Sequence, residues 1–355
     1  MVDAHGPGTR YTVKAGIHLR NFSVQPKSGD TFCGEPGAVL DGGRTLKTAF
    51  SGDAINVTLD SITVQEYNSG WQGGAIHPDA RARGWVVRNV SALRNYWAGL
   101  MAADGMRILG GHYNDNDQLG ISGNAATGIV LDGVDGDPTT FDGPEMARNR
   151  TLHADCTYEA GGMKWDRGQV TIRNAHVHDN DCRGLWADIN ARGALIEHNL
   201  IEDNREEGIY YEISQDAVIR DNHVYGNGLD GPAADRVLEL LTGSRLVRLL
   251  EDAGERRYEL VLQYWVFDPY HDGANNPEGD WEHLNVSVTT AVGWNEVTGS
   301  STMGTIVEQS ARGCHDRSAI TAWPPRECSA PTMKSVWPPN PEYTRPLIRE
   351  ALTCA

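Results

Sequence analysis

Short apolar segments, separated by glycine and asparagine, recur along the chain at intervals of 21–25 residues. Within them apolar and polar positions alternate in short runs, without helical periodicity. The interval is marked most clearly by Asn95, Asn116, Asp137, Asn180, Asn204 and Asn227. A repeat of this length built from β-type segments predicts a solenoid, in which each repeat forms one coil and stacks on the next.

A glycine follows each of the first five markers, four residues later in four of the five cases. These glycines are Gly99, Gly120, Gly162, Gly184 and Gly208. The exception is the gap from Asp137 to Gly162, which we interpret as one ordinary coil that carries an insertion over residues 138–158. We expect the recurring asparagines to bind backbone at a sharp corner and to hydrogen-bond to the asparagine above and below.

The repeat is clearest in two segments that have apolar residues and asparagines at the same offsets: ALIEHNLIEDN at residues 194–204 and AVIRDNHVYGN at residues 217–227. With this repeat, residues 10–231 resemble the right-handed parallel β-helix proteins, the pectin-lyase-like fold. The resemblance implies an all-β solenoid over residues 1–231. It also implies a carbohydrate-active protein, most often a lyase, hydrolase or epimerase of extracellular polysaccharide.

The chain changes in character after residue 231. Leucines at near-helical spacing predict a short helical linker or cap over residues 232–257. We interpret residues 258–355 as a partial β segment followed by a Pro-rich, loosely ordered tail. Within it, LQYW at 262–265 and EGDWEH at 278–283 resemble motifs of a vacuolar-sorting-associated family, although Pro277 stands where that family has histidine.

Composition limits the classes of partner. The chain has 31 basic and 48 acidic residues, a net charge of −17, and no basic cluster. We therefore expect no nucleic acid and no anionic membrane among its partners, but a polysaccharide bound by a monomer. No apolar run reaches the eighteen residues typical of a membrane span.

The compartment is an expectation from the resemblance, which favours a secreted protein. Residues 1–16 lack the apolar segment of a signal peptide, so the protein is either cytosolic or its leader lies outside this chain. The six cysteines have no metal-type spacing. Three of them, Cys314, Cys328 and Cys354, cluster near the end and could pair in an oxidising compartment.

Candidate chemistry lies on the strand that begins at each repeated glycine. Alternation predicts that the first and third residues after the glycine are buried and that the second and fourth are exposed. The second position is held by Lys164, Trp186 and Tyr210, which we call the cation–aromatic file. The fourth position is held by Asp166, Asp188 and Glu212, which we call the acidic file. Neighbouring coils are about 4.8 Å apart, so each file should form one row on the outer face.

Two chemistries fit the acidic file. Its carboxylates could hold a hard cation such as Ca²⁺ that bridges a uronate substrate. They could instead act as acid and base in glycoside hydrolysis: Asp166 and Glu212, two coils apart, suit an inverting enzyme, and adjacent coils suit a retaining one. Lys164 is a candidate lyase base, although three nearby acids would raise its pKa. A solvated polar stripe without a substrate is the alternative to both.

Other candidates surround the two files. Trp186 and Tyr210 offer flat faces for sugar rings. Arg183 and Glu207 each precede a repeated glycine and lie at the same edge, and Arg183 or Arg150 could neutralise a substrate carboxylate. We expect the 138–158 insertion to stand beside the acidic file, together with these residues: Asp142, Glu145, Arg148, Arg150, His153 and Glu159.

These features favour a hydrolase- or lyase-type enzyme with Asp166, Asp188, Glu212 and Lys164 as catalytic residues. The diagnostic signatures of pectate lyases and polygalacturonases are not evident. One alternative is a non-catalytic solenoid, such as a glycan-binding module or surface adhesin. Another is an inactive mosaic gene product, since two partial families meet in one chain.

Overall fold

The computed structural model describes residues 2–135, 140–152, 154–212, 214–220, 222–225 and 227, together with strands at 236–241, 245–250, 257–263, 286–291 and 296–298. The described chain is a right-handed parallel β-helix. Its described helical element is a short 3₁₀ turn at Val2–Ala4. None of the described helical structure has the length and apolar character needed to cross a bilayer.

Three faces of the solenoid are formed by stacked strands. Sheet 1 contains β1 (Arg10–Val13), β3 (Thr31–Gly34), β6 (Thr58–Asp60), β9 (Val86–Arg88), β12 (Arg107–Leu109), β14 (Ile129–Asp132), β17 (Val170–Arg173), β20 (Leu195–Glu197), β23 (Gln215–Arg220), β26 (Arg245–Leu250) and β29 (Glu296–Thr298). Sheet 2 contains β5 (Phe50–Gly52), β8 (Gly74–Pro78), β11 (Ala98–Met101), β13 (Leu119–Asn124), β16 (Gly161–Asp166), β19 (Arg183–Asp188), β22 (Ile209–Glu212), β25 (Arg236–Leu241), β27 (Arg257–Gln263) and β28 (Val286–Ala291).

The third face consists of two shorter ladders. The first contains β2 (Gly16–Leu19), β4 (Ala38–Asp41), β7 (Thr63–Gln65) and β10 (Ser91–Leu93). The second, which we call sheet 3, contains β15 (Glu145–Ala147), β18 (His176–His178), β21 (Leu200–Glu202) and β24 (His223–Tyr225). One coil visits sheets 1, 3 and 2 in turn, as β17, β18 and β19 do. Pairing between successive coils is parallel, and only β28 and β29, at the ends of sheets 2 and 1, are antiparallel to their neighbours among the described strands.

The core lies between the inner faces of these sheets. Large side chains that are completely or almost completely buried fill it, including Phe32, Phe50, Trp85 and Trp165. At the first coil, Tyr11 stacks on Phe32 with ring centroids 4.8 Å apart. Aromatic packing therefore covers the start of the core, which the first coil would otherwise expose.

A row of buried asparagine side chains links the coils at one corner. Asn180 Oδ1 accepts hydrogen bonds from the backbone N–H and the side-chain amide of Asn149, at 3.1 and 2.8 Å. Asn180 in turn donates to Asn204 Oδ1 and to the carbonyl of Met146. The same pattern joins Asn95, Asn116, Asn149, Asn180, Asn204 and Asn227. This amide ladder satisfies buried backbone groups that no sheet strand reaches.

The repeated glycines are required by the same corner. A Cβ atom on Gly184 would lie 2.5 Å from the carbonyl oxygen of Gly208 and 3.0 Å from Asn204 Nδ2. A Cβ on Gly208 would lie 2.6 Å from Asn227 Nδ2. Each glycine thus lets the backbone approach the asparagine of the next coil, which explains why the two residues recur together.

The ladder corrects one part of the sequence interpretation. Its member in the long coil is Asn149, two residues after β15, and not Asp137, which lies outside the described residues. The stretch 138–158 is consequently not one loop, because it contains the regular strand β15. The strand was missed because Met146 is its one large apolar residue. The extra residues lie in two places: between β14 and β15, and between Asn149 and β16.

A second correction concerns residues 232–257. The stretches 236–241 and 245–250 are strands and not the predicted helices. Leu238 and Leu240, which are two residues apart, are in register with Ile209 and Tyr211, whereas the steps of three from Leu238 to Leu241 and from Val247 to Leu250 suggested a helix. The remaining residues of 232–257, the EGDWEH motif and the Pro-rich tail lie outside the described residues.

Replacing Asn180 with alanine should destabilise the solenoid. The substitution removes two donated and two accepted hydrogen bonds and leaves buried partners unsatisfied. We expect a loss of about 3 kcal/mol or more in the free energy of unfolding, measured by urea denaturation. Asn21→Ala, at an exposed position, is the control and should change it by less than about 0.5 kcal/mol. Equal effects of the two variants would contradict the role of the ladder.

Candidate functional site

The strands of sheet 2 place the two files as their spacing predicts. Asp166 is paired with Asp188, and Lys164 with Trp186, in adjacent strands. Trp186 is paired in turn with Tyr210 on β22, and Glu212 ends that strand. The intervening residues, among them Trp165, Ala187 and Tyr211, belong to the main core. The two files therefore share the outer face of sheet 2.

The expectation that this face is open to solvent is wrong. Lys164 retains 8% of its exposure, Asp188 7% and Trp186 3%, and Glu212 is half-buried. Alternation specifies the face on which a side chain lies, but it carries no information about what covers that face. The cover comes from Arg183 and from residues 150–160, which precede β16.

The ammonium group of Lys164 makes three contacts in the site. Its Nζ lies 2.8 Å from Asp188 Oδ2 and donates to the backbone carbonyl of Tyr158 at 2.7 Å. The same atom lies 3.7 Å from the ring centroid of Trp186, so the ring face forms a third side of its environment. These contacts fix the ammonium group and neutralise Asp188.

Glu212 differs from the other two acids. Its Oε2 accepts a hydrogen bond from Trp186 Nε1 at 3.0 Å. Burial, followed by the charge of Asp188, raises the pKa of Glu212 above its ordinary value, against the opposing effects of Trp186, Lys164 and Arg183. A carboxyl with a raised pKa beside one that is held by a cation is the usual arrangement of an acid and base pair.

Asp166 is held from two sides. Its Oδ1 accepts the backbone N–H of Ala125, and its Oδ2 lies 2.8 Å from the guanidinium of Arg167. The acidic file therefore lies in one row, but its members have different partners: Arg167 for Asp166, Lys164 for Asp188 and Trp186 for Glu212.

Arg183 covers the aromatic rings. Its guanidinium carbon lies 4.4 Å from the ring centroid of Trp186 and 4.1 Å from that of Tyr210. The group is anchored by Glu207, with 2.9 Å between Nε and Oε2, and it donates to the carbonyl of Cys156 at 2.5 Å. Glu206 lies 3.2 Å from the guanidinium, and its own burial raises the pKa of that carboxyl.

A disulfide between Cys156 and Cys182 ties the 150–160 segment to the turn before β19. Arg150 acts beside it: Nη1 lies 2.7 Å from Asp181 Oδ2, and Nε donates to the carbonyl of Ala154 at 2.6 Å. The structure thus places Arg150 in the anchoring of the segment, where its guanidinium already has partners.

Only part of the expected insertion reaches the site. Glu159 hydrogen-bonds with Gln118 at 3.3 Å, and its burial raises its pKa against the charge of Lys164. Glu145 lies on sheet 3, where it accepts from His178 at 3.1 Å, and Arg148 pairs with Asp115. Asp142 lies before β15, where it accepts from the backbone of Asp135, and His153 is outside the described residues.

Sequence reasoning missed the disulfide and two exposed aromatic side chains, Trp71 and Tyr158. Cysteines 26 residues apart carry no motif, and their approach depends on the path of the 150–160 segment. The spacing of one coil was nevertheless a signal, because 26 residues bring the chain back to nearly the same corner.

The predicted Ca²⁺ site remains a prediction. Among the described residues, no three His, Cys, Asp or Glu side chains are grouped in a way that could hold a metal ion. Asp166 and Asp188 each have a cationic partner, which leaves Glu212 as the member of the acidic file without one in contact.

Comparison with known proteins addresses the fold. Residues 75–240 match the family model described as a right-handed beta helix region. The A-module of a mannuronan C-5 epimerase from Azotobacter vinelandii is similar in structure, with a TM-score of 0.50 at 14% identity over 71% of this chain and 82% of that chain. The structure of XylC with xylose gives a TM-score of 0.45 at 12% identity over 61% and 40%.

No curated protein matches the sequence. The evidence for the fold is therefore the family match over residues 75–240, the parallel strand order and the stacked asparagine corner. By these observations the chain has the right-handed parallel β-helix fold.

Proposed function

We propose that the outer face of sheet 2 binds a polysaccharide and cleaves it by glycoside hydrolysis. The observation that carries the proposal is the contrast between Glu212, whose pKa is raised, and Asp188, which is held by Lys164 on the adjacent strand. Trp186 and Tyr210 bring aromatic rings to the same place. The similar epimerase module is named for a polysaccharide, mannuronan, which supports this substrate class.

In this mechanism Glu212 is the proton donor. It protonates the glycosidic oxygen as the bond to the anomeric carbon breaks, and Asp188 attacks that carbon or stabilises its positive charge. Adjacent strands lie about 4.8 Å apart, near the roughly 5–5.5 Å between carboxyls of retaining enzymes. Water then releases the sugar from Asp188 after losing a proton to Glu212, which returns both groups to their starting state.

The surroundings of Lys164 favour hydrolysis over elimination with Lys164 as base. A lyase base must lose its proton and reach the substrate, whereas this Nζ is hydrogen-bonded to Asp188 and to Tyr158. We assign Lys164 to orienting Asp188. Arg183 is stacked on both rings, and a substrate carboxylate would take the place of Glu206, which lies 3.2 Å from the guanidinium, so acidic polysaccharides are included among the substrates.

A second candidate is a glycan-binding solenoid without catalysis. The ion pairs of the acidic file favour this candidate, because Asp166 and Asp188 each have a cationic partner within the protein without a substrate. Binding would then use Arg183, whose guanidinium lies over the rings of Trp186 and Tyr210, and the carboxylates would serve stability.

We further propose an oxidising, extracytoplasmic compartment for this protein. Structural disulfides persist in such compartments and are rare in the cytosol. Cys156 and Cys182 join two parts of the candidate site, so the compartment and the function are linked through this bond.

Replacing Glu212 with glutamine should abolish hydrolysis but not binding. Gln keeps an acceptor for Trp186 but cannot donate a proton, so we expect kcat to fall by at least about 100-fold. The assay measures reducing ends released from alginate, polygalacturonate and xylan. Asp115→Asn, at an ion pair on another face, is the control. Unsaturated products, or no turnover by the wild-type chain beside measurable binding, would contradict hydrolysis.

The pH profile tests the same group independently. A raised pKa keeps Glu212 protonated to a higher pH than an ordinary glutamate, and activity is lost as pH rises through that pKa. The stability of the folded protein also falls as pH rises through this pKa, because a carboxyl with a raised folded-state pKa destabilises the native state once it ionises. The Glu212→Gln variant should therefore melt at a temperature equal to or above that of the wild type at pH 8, with a smaller difference at pH 4. A lower melting temperature at pH 8 would contradict the assignment.

Removing the disulfide by Cys156→Ser with Cys182→Ser should lower stability. Closing a 26-residue loop is worth about 3 kcal/mol in the chain-entropy model. We expect the melting temperature of the double variant to fall by several degrees. Full stability of the double variant would show that the segment is held by its other contacts alone.

A further inference from the structure

Three aromatic side chains meet at the edge of sheet 2 where its strands begin. The ring centroids of Trp71 and Trp97 lie 5.1 Å apart, and those of Trp71 and Tyr158 lie 6.2 Å apart. Trp71 and Tyr158 each keep 58% of their exposure. We call these three residues the aromatic platform. It lies outside the set of residues to which the proposed hydrolysis assigns a role.

The platform is brought together from distant coils. Trp71 precedes β8 and Tyr158 precedes β16, and β11 and β13 lie between those strands in sheet 2. The 150–160 segment must therefore reach back across two coils to bring Tyr158 to Trp71. The disulfide at Cys156 fixes that segment two residues before Tyr158.

The backbone at the platform follows the turn geometry of the solenoid. Trp97 has φ of 71°, in the left-handed region that bulky side chains rarely adopt. The neighbouring Gln72 has φ of 54°. The carbonyl of Trp97 is held by the backbone N–H of Gln118 at 2.9 Å. The same conformation recurs at other corners of the solenoid, for example at Arg94 and His198, so the turn geometry imposes it.

Polar groups adjoin the rings and connect them to the acidic file. Glu159 follows Tyr158 and is hydrogen-bonded by Gln72 and by Gln118. The carbonyl of Tyr158 accepts from Lys164, which pairs with Asp188. The exposed rings are thus the outer end of a continuous path that runs along β16 to the carboxylates. Flat apolar faces beside amide and carboxylate groups suit a sugar ring, whose C–H faces are apolar and whose rim carries hydroxyls.

We propose that the aromatic platform is a sugar-binding subsite that holds the polysaccharide at a distance from the bond to be cleaved. This inference rests on the proposed function, since it takes the ligand to be the same polysaccharide. Tyr158 is the inner end of the subsite, because its carbonyl oxygen shares Lys164 Nζ with Asp188, and Trp71 is the outer end, with 6.2 Å between the Trp71 and Tyr158 ring centroids. Trp71 therefore contributes to fragments long enough to extend past Tyr158, and a disaccharide bound at Glu212 does not depend on it.

Trp71→Ala tests the subsite in the full chain. The probes are long and disaccharide fragments of alginate, polygalacturonate and xylan, with binding measured by calorimetry. We expect affinity for the long fragments to fall about tenfold, on the scale of one lost aromatic contact. Affinity for the disaccharides should stay unchanged. Tyr158→Ala should act in the same direction, while Leu152→Ala, an exposed apolar residue of the same loop region, is the matched control and should have no effect.

The outcomes separate this inference from the proposed function. If Glu212→Gln abolishes turnover while Trp71→Ala binds long fragments normally, the subsite is refuted and the hydrolase stands. If the wild type binds none of the probes, the proposed function fails and the subsite fails with it. A change of oligomeric state in Trp71→Ala, seen by analytical ultracentrifugation without a change in glycan affinity, would assign the rings to contact between copies of the chain and refute the subsite. Circular dichroism of each variant verifies that it is folded.

Discussion

The close approach of successive coils at the asparagine corner is the interaction on which the other features depend. Each Asn side chain accepts two N–H groups from the coil before it and donates to the coil after it, and the facing glycine has no Cβ to hold the backbones apart. Sheet 2 begins immediately after this corner in the coils where Gly follows Asn by four residues. The corner therefore determines the register in which β16, β19 and β22 stack, and with it the rows of outward side chains.

Register explains why the charged groups of the site can be buried at all. Asp188 and Lys164 lie on adjacent strands, so their side chains meet without further adjustment of the backbone. A buried charge without a partner is expensive, and a charge with a partner and a hydrogen bond is tolerated. Glu212 has the hydrogen bond but no ion pair with any of the described side chains, and its burial raises its pKa.

Much of this arrangement could be predicted from the sequence, and the rest could not, for identifiable reasons. The repeat of Asn204 and Asn227 with their glycines specifies the fold and the face on which Asp188 lies, because both depend on local periodicity. The cover over that face depends on a bond between Cys156 and Cys182 and on the route of the intervening chain, which no periodicity encodes. Periodicity also failed to identify Asn149, and Asp137 was predicted in its place. The spacing is irregular in this coil, so only the buried hydrogen bonds show which residue belongs to the ladder.

The position of the irregular coil has a consequence for how such proteins diversify. The extra residues after Asn149 enter between the corner and the start of β16, and the hydrogen bonds on both sides of that point are unchanged. A solenoid can thus accept new chain at this junction without altering its scaffold, much as an antibody domain accepts different loops between constant strands. Exchange of the 150–160 segment among related solenoids would then alter ligand preference while leaving the strand stacking in place, provided that a cysteine is kept to pair with Cys182.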